Sequence, residues 1–361
     1  MIDKTDGINY APVSIGKVVK TVDKGVFAFS VIGLDHGHIY AMANGLTEAG
    51  AEIRKVYDPD SKKIEAFLKK FPEARAASSI EEIISDGEIQ LVASAIRPDK
   101  RASLGIRIMK SGLHFFCDKP GLLTGEELEE VKRVHSETKR WYMVYFGERV
   151  HVEGAVCAER LIREGKLGRV ISVTILAPHR LNKPSRPDWF FDPGKNGTIL
   201  SDIGSHQFEQ LLSYTGAEHG SVEYSRENNF SNPDHPEFKD YGEALLSFDN
   251  GAVGYVRVDW FTPDGLSAWG DGRVFIVGTE ATVEIRKYIN VGVDDRGDNV
   301  FFVDKNGEHF ISATGKEGFP FFGEFILDCL NGSEKCMTQE HVFESMRLTI
   351  EAHEKAKKNE R

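Results

Sequence analysis

Nothing in this 361-residue chain looks built for an oxidising compartment, a bilayer or a nucleic acid. Its four cysteines, Cys117, Cys157, Cys329 and Cys336, are scattered, with no CxxC pair and no zinc-ribbon spacing. That pattern predicts small buried hydrophobes in a reducing, cytoplasmic setting rather than a disulfide framework. No apolar run approaches the roughly 20 residues that span a bilayer. The opening "MIDKTDGINY" has acidic residues and no apolar stretch, so it is not read as a secretory signal. A clustered basic surface is also missing, since the net charge is −11 and stretches such as "DSKKIEAFLKKFPEAR" interleave both signs. Membrane and nucleic-acid partners are therefore not expected. The expectation is a soluble protein with 40% hydrophobic residues, enough for two cored domains.

The first 24 residues read as a polar extension of unassigned role. From Val26 the text alternates in a strict rhythm. "VFAFSVIGL" is an apolar, β-branched run ending in glycine, as in a buried parallel strand. "HIYAMANGLTEAG" has helical spacing and is followed by the strand "EIRKVYD" and the helix "PDSKKIEAFLKKF". "IQLVASAI", "LHFFCDKP" and "WYMVYFG" are further strands, separated by helices. One of these helices opens on the capping-box pair Thr124 and Glu127. Such alternation predicts a doubly wound α/β Rossmann domain over 25–147, with right-handed crossovers. Beyond it the pattern changes to two helices and six alternating strands, with turn signals at Asp249-Asn250-Gly251 and Lys305-Asn306-Gly307. This predicts an α+β domain over 148–337, built on a large, mostly antiparallel open sheet, and a C-terminal helix over 338–361.

"VIGLDHGHI" occupies the first strand-to-helix turn, where Gly33 supplies the tight turn and Gly37 a close approach. Backbone N–H groups of Leu34, Asp35, His36, Gly37 and His38 would face an anionic pyrophosphate at a helix N-terminus. Asp35 and His38 stand where the usual fingerprint has glycine. Asp58 ends the second strand about 20 residues after Gly37, where a carboxylate accepts from ribose hydroxyls and repels a 2′-phosphate. NAD is thus expected in preference to NADP. Arg97, at the end of the third strand, is a further cofactor candidate. His36 and His38 could suggest a metal pair, but no cluster of further ligands accompanies them in the sequence, and no metal is expected.

Two short motifs carry the chemistry. Asp118-Lys119-Pro120 ends the fourth strand, and groups at strand carboxyl ends line the ligand crevice of open α/β sheets. "GTILSDIGSHQFEQ" sets Asp202 and His206 four residues apart, close enough on a helix for the carboxylate to orient the imidazole. A histidine so held suits general-base work on a hydroxyl. Upstream, "APHRLNKPSRPDWFFDPGKNG" offers His179, Arg180, Arg186, Asp188 and Trp189 to a polyhydroxylated ligand, and Glu148 and Arg149 stand at the hinge. "DWFTPDGLSAWGDGR" brings Trp260, Trp269 and Arg273, which suit either the same cleft or a subunit interface.

A Rossmann domain, a "DKP" triplet at its fourth strand and "DxGxH" opening a later helix together resemble the Gfo/Idh/MocA oxidoreductases. "ERLIREGKLGRVISV" and "FIVGTEATVEI" extend the resemblance over nearly the whole chain from Val26. The resemblance implies that Lys119 meets the reacting oxygen near the nicotinamide. It also implies that His206 is the acid/base, that Asp202 helps to bind substrate, and that the chain forms a homodimer or homotetramer. Asp118 replaces the family's more frequent Glu. Pro98, Asp99, Lys100, Arg101 and Ala102 lack the histidine that often follows the third strand. The expected activity is NAD-dependent oxidation of a secondary or hemiacetal alcohol of a sugar, sugar acid or cyclitol, or the reverse reduction. The alternatives are a glycoside hydrolase working by transient oxidation and a non-catalytic NAD(H) sensor.

Overall fold

A computed structural model describes residues 18–359. Most of the polar extension lies outside this range. Its last residues, 18–24, are described: Val18 and Val22 are buried, and Thr21 N–H donates to the Ala49 carbonyl at 2.8 Å.

The chain divides into two compact units. The first is Lys17–Tyr145 with Phe319–Phe343; the second includes Phe146–Gly318 and the chain from Glu344. The first unit runs β1 (Ala28–Leu34), α1 (His38–Glu48), β2 (Glu52–Tyr57), α2 (Ser61–Lys70), β3 (Arg75–Ala76) and α3 (Ile80–Ile84). It continues through β4 (Leu91–Ala95), α4 (Pro98–Lys110), β5 (His114–Asp118), α5 (Gly125–Thr138) and β6 (Tyr142–Tyr145). Its sheet order is β3-β2-β1-β4-β5-β6, all parallel, so the chain reverses direction across the sheet between β1 and β4. Every residue of β1, β4, β5 and β6 is buried, as the apolar runs predict for strands covered on both faces. The sequence reading missed β3, whose two residues are exposed and carry no pattern. Near the end of β1, Gly33 has φ +84°, and a Cβ there would lie 2.6 Å from the Ile96 Cβ. The capping box of α5 forms as expected.

The second unit opens with α6 (Gly147–Val150), α7 (Glu153–Arg163) and β7 (Val170–Pro178). The short α8 (Pro193–Asn196), α9 (Ile199–Asp202) and the longer α10 (Gly204–Thr215) follow. Then come β8 (Gly220–Asn228), β9 (Tyr241–Phe248), β10 (Val253–Asp259), β11 (Arg273–Gly278), β12 (Ala281–Arg286), β13 (Asn299–Asp304) and β14 (Gly307–Ser312). Their order is β14-β13-β12-β11-β7-β10-β9-β8, antiparallel except for the β7–β10 pair. Strand β8 is an addition to the predicted set. It buries Val222 among polar residues, a pattern too weak to read as a strand. The two predicted turns close the β9–β10 and β13–β14 hairpins, with Gly251 at φ +82° and Gly307 at φ +138°.

Two late segments depart from the predicted division. The helix α11 (Pro320–Asn331) belongs to the first unit, where Phe321 and Phe325 pack on Phe116 with ring centroids 5.9 and 5.3 Å away. The last helix, α12 (Gln339–Asn359), belongs to the first unit through Phe343 and to the second from Glu344. Its Gln339 amide bonds both N–H and C=O of Tyr142, satisfying the outer edge of β6 (2.8 and 2.9 Å).

Two of the four cysteines are buried as the composition predicts, while Cys329 and Cys336 are half-buried. Cys117 and Cys157 are buried, and burial pushes both thiols up to about 12. Asp298 carries a less expected charge. It sits at φ +53°, and its carboxyl accepts the Gly154 N–H at 2.8 Å. Burial, reinforced by the Glu153 charge, raises that carboxyl to about 6. The folded state thus holds a proton that an unfolded aspartate releases near 3.9. Stability from this site is complete below that value and is lost as pH rises through about 6. Asn keeps the acceptor and tolerates positive φ. Asp298→Asn is therefore expected to stabilise the protein by about 1–2 kcal/mol at neutral pH and by nothing at pH near 4. Melting curves of both proteins across that range check it.

Candidate functional site

In the first unit, the predicted cofactor residues gather at the carboxyl ends of β1, β2, β4 and β5. The N-terminus of α1 begins at Gly37, which offers no side-chain cap, and its first turn has no acidic residue, so it suits an anion although the His38 N–H donates to His36 Nδ1 at 3.2 Å. Asp58 is buried, accepts the Leu34 N–H at 2.7 Å and the Asp60 N–H at 2.9 Å, and so ties the end of β2 to the turn after β1. Asp35, the acidic intruder in the glycine fingerprint, is neutralised by Lys63 at 2.5 Å and accepts the Arg97 N–H at 2.9 Å. The Arg97 side chain turns to Asp99 at 2.5 Å. Sequence reasoning missed Lys63, because a lysine in an exposed amphipathic helix carries no signal of its own.

His38, the other intruder, has its Nδ1 2.8 Å from the Asp118 carboxylate, and His36 Nδ1 lies 3.2 Å from it. Arg101, only 2% exposed, binds the same carboxylate at 3.3 Å, the Pro120 carbonyl at 2.9 Å and the Ile96 carbonyl at 2.7 Å. The Lys119 N–H adds a further bond to Asp118 at 2.8 Å. One guanidinium therefore fastens the end of β4 to the Asp118-Lys119-Pro120 turn and fixes where Lys119 begins. Burial alone would raise the Asp118 carboxyl, but His38, His36 and Arg101 outweigh it and hold it well below the usual carboxylate range. Burial, helped by His38, brings His36 down to about 4, so it is neutral at physiological pH.

The ligating atoms of His36, His38 and Asp118 lie within 4.8 Å of one another, a spacing that a metal could use. The donor set argues for hydrogen bonding instead. Asp118 already serves Arg101 and the Lys119 N–H, and a divalent ion would sit against the buried guanidinium.

The second unit holds the other predicted residues. Asp202 ends α9 and His206 lies in α10, with Ile203 between them still helical (φ −75°, ψ −48°). The two side chains are thus one turn apart on a nearly continuous helix, both buried. All of α10 except Ser213 is buried, although it carries Gln207, Glu209 and Gln210. Their partners come from distant sequence. Glu148 Oε2 accepts from Gln207 at 2.7 Å and from Lys287 Nζ at 2.6 Å, and Lys287 also donates to Gln210 at 3.3 Å. His179 Nε2 lies 3.1 Å from Glu148 Oε1, and its Nδ1 lies 3.1 Å from the Ala177 carbonyl. Burial works to raise Glu148, but Lys287 and His179, with His206 behind them, hold it well below its ordinary range.

The arginines expected at the substrate all have protein partners. Arg149 bridges Glu209 and Glu159 at 2.5 Å each. Arg180 donates to the carbonyls of Pro263 and Leu266 at 2.9 and 2.8 Å. Arg186 lies over Phe190, Trp260 and Trp269 at 4.4, 4.9 and 5.7 Å. Trp260 and Trp269 are buried and flank His179, so the two loops named in the sequence meet in one cluster. Trp189 is half-buried beside Phe190, and Arg273 pairs with Asp271.

Comparison with known proteins agrees with this layout. Residues 27–146 match the family model "Oxidoreductase family, NAD-binding Rossmann fold", and residues 156–284 match the "GFO/IDH/MocA C-terminal domain". A crystal structure of a candidate oxidoreductase from Erwinia carotovora atroseptica is 44% identical. The match covers 91% of this chain and 98% of that one, with TM-score 0.89. Inositol 2-dehydrogenase of Pseudarthrobacter chlorophenolicus is 25% identical over 48% of this chain and 49% of its own length. Levoglucosan dehydrogenase of Pseudarthrobacter phenanthrenivorans is 28% identical over 45% of this chain and 43% of its own. The chain thus spans about half the length of these curated relatives. The chain belongs to the Gfo/Idh/MocA oxidoreductase family and carries that family's NAD-binding Rossmann fold.

Proposed function

We propose that the protein is an NAD-dependent dehydrogenase. It oxidises a secondary or hemiacetal alcohol of a sugar, sugar acid or cyclitol, or catalyses the reverse reduction. The observation that carries this is that a chain of this family holds both a buried lysine at the carboxyl end of β5 in its first unit and a buried Asp202–His206 turn in its second. The turn after β1 fits the cofactor's phosphates. Gly33 is pressed against Ile96, the α1 N-terminus is uncapped, and Asp35 is neutralised by Lys63. Asp58 would accept from the ribose, while the backbone around Leu34, His36 and Gly37, with Arg97, borders the same turn. When bound, the cofactor supplies the hydride acceptor.

The chain's own residues do the rest. His206 removes the hydroxyl proton, with Asp202 orienting the substrate. Lys119 stabilises the charge that develops on the oxygen. Asp118, clamped by Arg101, holds the lysine's backbone in place. The curated relatives act on inositol and levoglucosan by name, which supports a polyhydroxylated substrate with His179 and Trp189 among its contacts. Tyr224, Leu245, Val253, Val277 and Phe310 are exposed on the open sheet, supporting a homodimer or homotetramer. A thermal-shift screen of cyclitols, sugars and sugar acids with NAD present, followed by NADH absorbance on each hit, tests the reading. Binding of NAD with no turnover across the panel would leave a sensor instead.

A further inference from the structure

Lys287 belongs to no motif and to none of the predicted sites, yet its side chain is fully buried (0% exposed), just after β12. A buried ammonium is costly unless paired, and a pair so deep contributes little net stability on its own. Such a pair is expected where a fixed charge is needed. The Lys287 partner is Glu148, whose other neighbours lead toward His206. Gln207, the next residue after His206, donates to Glu148 at 2.7 Å, and the Phe146 ring, two residues before Glu148, stands edge-to-face with the His206 ring at 6.5 Å. Glu148 is 5% exposed and its Oε1 accepts no well-aligned hydrogen bond, so that oxygen retains acceptor capacity beside His179.

We propose that Glu148 is a positioning residue for His206, stabilising the imidazolium that forms as His206 takes the substrate proton, and that Lys287 keeps Glu148 ionised in the buried setting. The inference rests on the reading of His206 as the base. Other charged groups also pack around this helix within the unit. Arg149 from α6 is held by Glu209 of α10 and Glu159 of α7. Asp202 of α9 lies one turn before His206, and His179 after β7 faces Glu148 from the other side. Glu148 with Lys287 is thus the pair whose removal changes the charge near the imidazole without breaking the Arg149 bridge. The proton balance is simple. The hydroxyl O–H bond breaks, the proton goes to His206, and the Glu148 carboxylate remains an anion throughout.

The test uses the full-length protein, NAD and the best alcohol from the screen. Glu148→Gln preserves shape and is expected to lower kcat about 10²-fold, within the range of general-base contributions. The acid limb of its pH profile should move to lower pH, because the imidazolium has lost its anion. KM and NAD affinity should change by less than about threefold, since uniform binding is untouched. Lys287→Gln should shift the limb in the same direction and regain activity as pH rises and Glu148 ionises. The double variant removes both charges and so avoids an unpaired buried ion. It should match Glu148→Gln within about twofold, the signature of two groups acting as one. A fall in kcat with an unmoved acid limb, or parent-like kcat in the double variant, overturns the inference. His206→Ala distinguishes failure of His206 as the base from failure of Glu148 alone. Full turnover in that variant defeats the reading of His206 itself. Loss of turnover there, with parent-like Glu148→Gln, defeats only the role of Glu148.

Discussion

Lys119→Met is expected to lower kcat by about 10³-fold while leaving NAD affinity within about threefold, as expected when a group acts only on developing charge. Methionine keeps the length and apolar stem of the side chain, so packing at the end of β5 is preserved. The ammonium alone is lost. Lys119 is only 7% exposed, and its backbone is fixed by Asp118, itself held by Arg101. At that exposure an added amine in solution has poor access to replace it. Steady-state kinetics with the screened alcohol, together with NAD titration by tryptophan fluorescence, measures the two quantities separately. An equal loss in NAD affinity would move Lys119 from the reacting oxygen to the cofactor.

His206→Ala carries the second large effect. Removal of a general base from a hydroxyl oxidation costs about 10²–10⁴-fold, and the loss should shrink as pH rises and hydroxide takes over the deprotonation. The variant should fold, because the imidazole lies in a helix held on other sides by Phe208, Leu211 and Leu212, all buried. If Lys119 and His206 serve the same oxygen, the Lys119→Met/His206→Ala protein should be scarcely slower than the worse single variant. Multiplied losses would mean that the two groups work in separate steps.

How much of this was legible in the sequence depends on the range of the interaction. The Rossmann order was readable because each fully buried parallel strand is an apolar run, as in β1 and β5, bounded by glycine, proline or a capped helix. Asp58, Lys119, Asp202 and His206 were readable because short motifs place them at element ends. Strands β3 and β8 were not. Two exposed residues make no pattern, and β8 is covered by polar contacts from α12, where Glu344 and Glu351 accept the N–H groups of Gly220 and Val222. The partners of the site were hidden for the same reason. Lys287 meets Glu148 across 139 residues, and Lys63 meets Asp35 across 28. Neither separation leaves a local periodicity. The partners of the arginines were hidden too, because Arg149, Arg180 and Arg186 find carboxylates, carbonyls and aromatic faces that no linear reading reveals.

The fingerprint that looked defective is internally compensated. Asp35 is matched by Lys63 and the Arg97 N–H, and His38 is matched by Asp118. The same carboxylate therefore serves the phosphate turn and the lysine turn. A change at position 118 should then disturb both cofactor affinity and turnover, unlike a change at Lys119.

Every residue role proposed for the site depends on hydride transfer from the substrate carbon. The direct measurement is an incubation with NAD and an alcohol from the screen deuterated at the carbon to be oxidised, with both products read by mass spectrometry. One deuterium is expected in each NADH with one equivalent of the carbonyl product, both formed about 10²–10⁴-fold more slowly in His206→Ala. Sugar cleavage without net NADH, or NADH that carries no deuterium, would contradict it.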